Sequence, residues 1–156
     1  MIHWRWFGSD EPDVRTALAY WAASKIWPEG DRDLQWFGEN LVMGVFENSD
    51  PIAAVVYHNW EPNAGVIEIS GASTAPRWLT RSVLREMYRY AFEEVGVQMV
   101  VQRTPAENER LLRILNRVGF KFYRIPRLRG RELDEMVCTL TDDDWKRSKF
   151  ANVTKG

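Results

Sequence analysis

Residues 41–72 read LVMGVFENSDPIAAVVYHNWEPNAGVIEISGA, the segment of the sequence that is most informative about the fold. It holds three apolar runs rich in β-branched residues, at 41–48, 51–60 and 64–72. The segments between the runs, Ser49 to Pro51 and Glu61 to Gly65, have the length and composition of hairpin turns. The stretch therefore predicts three consecutive strands that pair antiparallel in a meander.

A helix is predicted before the meander. Ser9, followed by Asp10, Glu11 and Pro12, is typical of a helix start with an acidic first turn. The helix is expected to end near Trp27 and Pro28, because proline cannot continue the backbone hydrogen-bond ladder. Irregular chain is expected from there to residue 40.

The chain after the meander alternates between helical and strand patterns. Helical spacing of apolar residues predicts a helix over 79–95, and a strand is expected over 97–104. Thr104, Pro105 and Glu107 form a capping-box pattern for a second helix that stops at Gly119. FKFYRI and LDEMVCTL predict two last strands, and Thr141 is expected to cap a short final helix. The order predicts an α+β fold, a mixed α/β sandwich with a central, mostly antiparallel sheet flanked by helices, in a single domain over residues 1–156.

Composition excludes several classes of protein. With 156 residues, 45% hydrophobic and 28% charged, the chain has the composition of a folded domain rather than a disordered or low-complexity one. No apolar run approaches the roughly 18 residues of a membrane span, and the start lacks the pattern of a signal peptide, so a cytoplasmic protein without membrane contact is expected. Cys138 is the single cysteine, and with only His3 and His58 beside it no structural zinc site or other metal is expected.

Charge is distributed unevenly along the chain. Residues 1–75 hold 4 Lys/Arg and 11 Asp/Glu, residues 76–131 hold 13 and 5, and residues 132–156 hold 4 and 6. The basic middle favours an anionic ligand such as a nucleotide phosphate, whereas the acidic first part favours a cationic partner. A solvated helix face explains the basic middle equally well.

AENERLLRILNRVGFKF, residues 106–122, makes the family resemblance specific. Its asparagine near the start of a helix, its apolar stripe and its closing Gly-Phe resemble the coenzyme A segment of the GNAT superfamily of N-acyltransferases, over about residues 41–140. RWLTRSVLREMYRYAF and LDEMVCTLTDDDW resemble a branch often encoded by phages and prophages. The resemblance implies a GNAT-like acyl-CoA N-acyltransferase fold, acetyl-CoA as cosubstrate and an amine acceptor.

The resemblance also implies where the cofactor binds. The family's pyrophosphate loop, Q/R-x-x-G-x-G/A, corresponds to Arg77–Ser82, where Thr80 and Ser82 replace the two glycines. Hydroxyls and flanking arginines are suited to phosphate oxygens, although side chains also push the backbone away from a ligand. An ordinary helix N-terminus capped by Thr80 is the alternative. The implied cofactor-binding residues are Ser70, Gly71, Ala72, Arg77, Trp78, Leu79, Thr80, Arg81, Ser82 and Asn108.

Catalytic residues are implied less directly. Family members often use a glutamate on the fourth strand as a base, and Glu68 in VIEIS matches it, with an outward-facing strand carboxylate as the alternative. The position of the family's tyrosine acid falls on Leu115, which cannot donate a proton. The candidate substitutes for this acid are Tyr57, His58 and Tyr123, and a structural role is the alternative for each of them. Glu68 and His58 are the catalytic candidates.

Three functions remain open at this point. The first is an N-acetyltransferase that moves an acetyl group directly to a cationic amine. The second is a catalytically degenerate GNAT-fold binding or assembly protein, encoded by a phage. Nucleic-acid binding is weaker, because the sequence pI is about 6.2 and no known aromatic-basic module is present. The tryptophans of the first half, Trp4, Trp6, Trp21, Trp27, Trp36 and Trp60, are expected to wall an acceptor groove, pack in the core or form a homodimer face.

Overall fold

A computed structural model describes residues 1–27 and 37–151. Seven strands lie within these residues: β1 (Ile2–Phe7), β2 (Asn40–Glu47), β3 (Asp50–Glu61), β4 (Val66–Ser73), β5 (Met99–Pro105), β6 (Lys121–Gly130) and β7 (Leu133–Thr141). The same part of the chain holds four α-helices: α1 (Pro12–Ile26), α2 (Arg81–Arg89), α3 (Glu109–Val118) and α4 (Asp142–Arg147). The strands are mostly antiparallel, which confirms the predicted mixed α/β fold.

Two compact units make up the chain. The first consists of Met1–Trp60 and Glu68–Met87, and the second of Glu61–Ile67 and Tyr88–Gly156. No helix in the described ranges is both long and apolar enough to cross a membrane.

The strands of the first unit follow the order β1-β2-β3-β4. β1 and β2 pair antiparallel, as do β2 and β3, where Asn40 lies opposite His58. The predicted meander is confirmed, with strand ends within two residues of those expected. β1 is an addition, because the aromatic opening of the chain was not predicted to be a strand. Burial along β1 does not alternate strictly between neighbouring residues. Strict alternation is the pattern by which a half-buried strand is recognised in a sequence.

Helix α1 covers one face of the strands of the first unit. Leu18, Ala19, Ala22 and Ala23 are buried against Val42, Ala54 and Val56 in one hydrophobic cluster. The small alanines let the helix approach the strands closely. Phe7 and Phe37 belong to the same cluster. The opposite face of these strands is also buried, at Met43, Val45 and Val55.

The second unit is built on the order β5-β7-β6. Its core is aromatic: Tyr88 contacts both Phe120 and Trp145 with ring centroids 5.6 and 5.4 Å apart. The phenolic hydroxyl of Tyr88 donates a hydrogen bond to Gln102 Oε1 at 2.5 Å, which satisfies a buried amide oxygen. Leu115 and Val118 of the predicted apolar stripe are buried.

Strand β6 is irregular over its second half. Lys121 to Ile125 pair regularly with β7, after which the register shifts before Gly130 pairs with Leu133. Pro126 lies in this interruption, and Arg127 has a φ of +66°. Tyr123, Ile125 and Leu128 on this strand are all exposed.

Several predicted helix ends are confirmed and two are wrong. Gly119 ends α3 with a φ of +114°, and Thr141 caps α4 by accepting a hydrogen bond from Asp144 N at 3.2 Å. The predicted start at Ser9 is wrong, because α1 begins at Pro12 after Glu11. The capping box at Thr104 is also wrong: Pro105 still belongs to β5, and Asn108 caps α3 instead.

The helix predicted over 79–95 has two parts. The α-helical part, α2, ends at Arg89, and Tyr90–Val95 form a wider π-helical turn closed by Gly96 N donating to Ala91 O at 3.0 Å. At the other predicted boundaries, α1 ends before Trp27 as expected. Pro28 and most of the predicted irregular segment lie outside the described residues.

Candidate active site

Glu68 and His58 lie together on neighbouring strands of the first unit. His58 Nε2 is 3.8 Å from Glu68 Oε2, a distance at which a protonated imidazole and a carboxylate form an ion pair. Only 5% of the His58 surface and 16% of the Glu68 side chain are exposed. The two residues that were predicted to be catalytic are therefore in contact and largely shielded from water.

Strand alternation explains why they share a face. Ala54 and Val56 of β3 face the α1 side, and His58 follows them at the next even position. On β4, Ala72 packs against the same cluster. Glu68 precedes Ala72 by four positions, and because side chains of a strand alternate with a period of two, it lies on the same face. The alternative of an outward-facing strand carboxylate does not describe Glu68, which is mostly buried.

Ser70 and Phe37 also contact the imidazole. A hydrogen bond of 2.8 Å joins His58 Nε2 and Ser70 Oγ, and the Phe37 ring meets the imidazole edge-on with centroids 4.8 Å apart. Trp27 in turn packs on Phe37 at 5.4 Å. The imidazole is thus held between an aromatic wall and two polar groups, a hydroxyl and a carboxylate.

Asn59 is the residue of this cluster that sequence reasoning missed. Its Nδ2 donates a hydrogen bond to Glu68 Oε1 at 3.0 Å, on the oxygen that does not face His58. Asn59 has a φ of +50°, in the left-handed region where asparagine is favoured over most residues. No local pattern in the sequence marks a left-handed residue inside a strand.

The loop predicted to bind pyrophosphate leads into α2. Pro76–Trp78 form a short 3₁₀ turn, and Thr80 Oγ1 then accepts a hydrogen bond from Val83 N at 3.2 Å. Thr80 therefore acts as the helix cap that the alternative interpretation required. Capping orients the first turn of the helix and does not exclude an anion beside it.

Arg77 forms a two-pronged ion pair with Glu47. Arg77 Nε donates to Glu47 Oε2 at 2.9 Å, and Nη2 donates to Oε1 at 2.6 Å. These hydrogen bonds hold the pKa of Glu47 below its ordinary value and raise the pKa of Arg77. The positive charge of Arg77 is thus already balanced by a carboxylate.

The remaining residues of the predicted cofactor site differ in exposure. Arg81 and Ser82 are exposed at the start of α2, and Trp78 and Leu79 are half-buried. Gly71 is exposed on β4, whereas Ala72 packs partly against the core of the first unit. A guanidinium, a hydroxyl and a helix N-terminus are groups that suit a diphosphate, so this loop fits an anionic ligand although it lacks the family's glycines.

Asn108 and Leu115 belong to the second unit and have structural roles there. Asn108 Oδ1 accepts from Leu111 N at 3.3 Å, and its Nδ2 donates to Thr104 Oγ1 at 3.2 Å. Leu115 is buried, with no group that transfers a proton. Tyr123 is 52% exposed on β6.

Tyr57 is committed to packing and hydrogen bonding in the first unit. Its hydroxyl donates to Met87 O at 2.6 Å, and its ring lies 5.4 Å from Trp6. Trp6 Nε1 donates to Glu86 Oε2 at 3.2 Å. Tyr57 lies one residue before His58 and so faces the other side of the sheet.

The described tryptophans of the first half differ in burial. Trp21 and Trp27 pack against the core of the first unit, whereas Trp4 and Trp60 are exposed, Trp60 by 56%. Trp36 lies outside the described residues. The packing role that the sequence left open therefore applies to Trp21 and Trp27.

Comparison with known proteins supports the fold through structure rather than sequence. No protein-family model matches the chain, and no curated protein matches it in sequence. The structure is similar to the spermidine N-acetyltransferase of Vibrio cholerae in complex with CoA and spermine, with 13% identity, a TM-score of 0.67 and coverage of 93% of this chain and 98% of that chain. It is also similar to the ribosomal-protein-S5-alanine acetyltransferase of Vibrio fischeri, with 14% identity, a TM-score of 0.68 and coverage of 92% and 94%. The chain therefore has the fold of the GNAT acetyltransferases.

Proposed function

We propose that the protein is an N-acetyltransferase that moves an acetyl group from acetyl-CoA directly to an amine, within a single domain over residues 1–156. The observation that carries the proposal is the contact between Glu68 and His58 in a fold shared with acetyltransferases. A carboxylate beside an imidazole, both largely shielded from water, supplies two positioned groups that can accept or donate a proton.

Glu68 would act as the general base. It takes a proton from the ammonium form of the acceptor, directly or through one water, so that the nitrogen lone pair attacks the thioester carbonyl. The new N–C bond forms at the carbonyl carbon and the C–S bond then breaks. The nitrogen gives up its second proton, and the departing thiolate of CoA takes up one proton to leave as the free thiol. His58 lies beside the same carboxylate and would relay or stabilise the transferred proton.

The loop at the start of α2 would hold the diphosphate. Arg81 and Ser82 are exposed there, and Arg77 is nearby in the chain but paired with Glu47. A diphosphate would either share Arg77 with Glu47 or displace that carboxylate. Ser70, Gly71 and Ala72 on β4 and Asn108 at the start of α3 remain proposed cofactor contacts.

A cationic acceptor is the proposed substrate class. The first 75 residues hold 11 acidic and 4 basic side chains, which raises the local concentration of cations. Spermine, which is bound to the similar acetyltransferase of Vibrio cholerae, is a suitable first acceptor to test.

Acetyl transfer to a panel of amines tests the catalytic assignment. Replacing Glu68 with Gln keeps the size of the side chain and removes the base, so kcat is expected to fall by about 100-fold or more. Glu61→Gln, an exposed glutamate at the end of β3, is the matched control and should keep wild-type activity. If Glu68→Gln and His58→Gln both transfer acetyl groups at the wild-type rate, the assignment is wrong.

Calorimetric titration with acetyl-CoA tests cofactor binding before any acceptor is known. Desulfo-CoA and ATP serve as controls for recognition of the acyl-CoA body and of nucleotide phosphate alone. Micromolar binding of acetyl-CoA that weakens in Arg81→Ala would support the proposed loop. No heat up to millimolar acetyl-CoA would contradict the proposal.

A binding or assembly protein with a GNAT fold is the second candidate function. The observation in its favour is that the loop glycines are replaced, Leu115 occupies the position of the tyrosine acid, and Arg77 is neutralised by Glu47. Absence of both CoA binding and acetyl transfer, with an intact fold, would favour this function. A phage or prophage origin, a cytoplasmic location and a homodimer are part of the proposal for either function.

A further inference from the structure

Two successive residues of β3 contact the same carboxylate. His58 approaches Oε2 of Glu68, and Asn59 donates from Nδ2 to Oε1 at 3.0 Å. In a regular strand, adjacent side chains point to opposite faces of the sheet. His58 faces the α1 side with Phe37, so a regular Asn59 would face the Tyr57 side and could not reach Glu68.

The left-handed backbone of Asn59 explains how both contacts form. A φ of +50° breaks the alternation at this single residue and turns the carboxamide towards Glu68. A left-handed residue that is not glycine costs about 1 kcal/mol or more, and such conformations cluster at functional sites. Asparagine tolerates the conformation better than most residues and supplies the amide donor as well.

We propose that Asn59 is a positioning residue for the reaction, whose carboxamide fixes the orientation of the Glu68 carboxylate so that Oε2 faces His58. The inference rests on the proposed function for its catalytic consequence, while the positioning itself concerns only the first unit. Among the described residues, His58 is the only ionisable partner of Glu68, and Ser70 shares the same imidazole nitrogen. A substitution of Asn59 is therefore expected to act on the contact between Glu68 and His58.

Two substitutions distinguish the contribution of the Asn59 side-chain amide from that of its left-handed backbone conformation. Asn59→Gly accepts the left-handed backbone and removes the donor, and Asn59→Asp keeps the shape but places a second carboxylate against Glu68. Asn48 provides matched controls, because it is exposed in the preceding hairpin turn with a φ of +57° and lies away from Glu68 in the chain. Asn48→Gly and Asn48→Asp thus repeat both changes at a position whose side chain does not hydrogen-bond to Glu68.

Kinetics give the first readout. Asn59→Gly is expected to lower kcat by about tenfold with little change in the KM for acetyl-CoA, because an unfixed base loses alignment. Asn59→Asp is expected to move the acidic limb of the kcat profile to higher pH by about one unit, since a like charge disfavours ionised Glu68. The Asn48 variants should reproduce the wild-type rate and profile. Equal behaviour of the Asn59 and Asn48 variants would overturn the proposal.

Carboxyl titration by ¹³C NMR gives a readout that needs no activity. With Glu68→Gln to assign the resonance, Asn59→Asp should raise the midpoint of Glu68 and Asn48→Asp should not. An unchanged Glu68 titration in both Asn59 variants would show that the amide does not hold the carboxylate. If the wild type transfers no acetyl group while the titration still shifts, the proposed function fails and the positioning contact stands.

Discussion

Arg77 and Glu47 share two hydrogen bonds, one from Nε at 2.9 Å and one from Nη2 at 2.6 Å. This pair neutralises the first residue of the loop that is proposed to bind a diphosphate. Removing the carboxylate is therefore expected to improve binding of an anion, whereas removing the guanidinium is expected to weaken it.

Glu47→Gln should tighten acetyl-CoA binding by about fivefold or less, because the pair is exposed to solvent, and Arg77→Ala should weaken it by a similar factor. Calorimetry at low salt measures both, and the two effects should shrink at high salt. If Glu47→Gln leaves the affinity unchanged at low salt, the diphosphate does not bind beside Arg77.

Glu135 should contribute far more to stability than its neighbour Asp134. Glu135 is only 1% exposed and accepts hydrogen bonds from Arg103 and Arg129, the latter at 2.7 Å. Glu135→Gln is expected to lower the free energy of unfolding by about 2 kcal/mol, because the buried carboxylate that accepts hydrogen bonds from Arg103 and Arg129 becomes a neutral amide.

Asp134→Asn provides the control. Arg124 holds the pKa of Asp134 below its ordinary value. Because this pair is exposed, Asp134→Asn should lower the free energy of unfolding much less than Glu135→Gln does. The contribution of Asp134 is present above its unfolded pKa and should disappear as the pH falls below about 4. Urea unfolding followed by circular dichroism measures the free energy of unfolding of each variant at each pH. An equal decrease in Glu135→Gln and Asp134→Asn would contradict the larger contribution assigned to Glu135.

Asn108 can be tested for both of its assigned roles. As the cap of α3, it should stabilise the helix, and Asn108→Ala is expected to cost about 1 kcal/mol in urea unfolding. Asn116→Ala, on an exposed position of the same helix, should cost much less.

Asn108→Asp separates capping from cofactor binding. Aspartate caps a helix as well as asparagine does, but it lacks the amide donor and carries a negative charge. Preserved stability with weaker acetyl-CoA binding would support a cofactor contact. Preserved stability with unchanged affinity would leave Asn108 with its structural role alone.

Cys138 should be unreactive in the native protein. Burial, followed by the nearby charge of Glu135, raises the pKa of the Cys138 thiol to about 12. A thiol-specific reagent at pH 8 is therefore expected to react only after urea unfolding, since the thiolate is the nucleophile. Rapid labelling of the folded protein would contradict this environment.

The same thiol makes stability fall at alkaline pH. In the unfolded chain the thiol ionises near pH 8.5, so its contribution is complete below that pH and is lost as the pH rises towards about 12. Burial also raises the pKa of Tyr88, which acts in the same direction. Cys138→Ala should remove part of this alkaline loss and leave the part due to Tyr88.

Local patterns predicted the elements better than their ends. The three-strand meander, the stop at Gly119 and the cap at Thr141 follow from turn chemistry and periodicity, which act over a few residues. The capping box at Thr104 failed because β5 pairs with β7 through Pro105, and this pairing depends on residues 30 positions away. Asn108 then becomes the first residue free to cap.

The candidate site was predicted only in part, because some of its contacts follow from short-range patterns and others join distant residues. Alternation along β3 and β4 places His58 and Glu68 on one face, so their contact follows from two strand registers. The pairing of Arg77 with Glu47 joins residues 30 positions apart, and the left-handed Asn59 breaks a strand from within. Neither leaves a signal in the sequence.

The irregular second half of β6 has a consequence for solubility. In the described part of the chain β6 ends the order β5-β7-β6, and a strand at the end of a sheet offers unpaired backbone groups to other molecules. Pro126 lacks an N–H, Arg127 leaves the strand conformation, and charged neighbours surround the exposed Tyr123 and Ile125. This edge is therefore a poor template for a further strand, which hinders edge-to-edge aggregation.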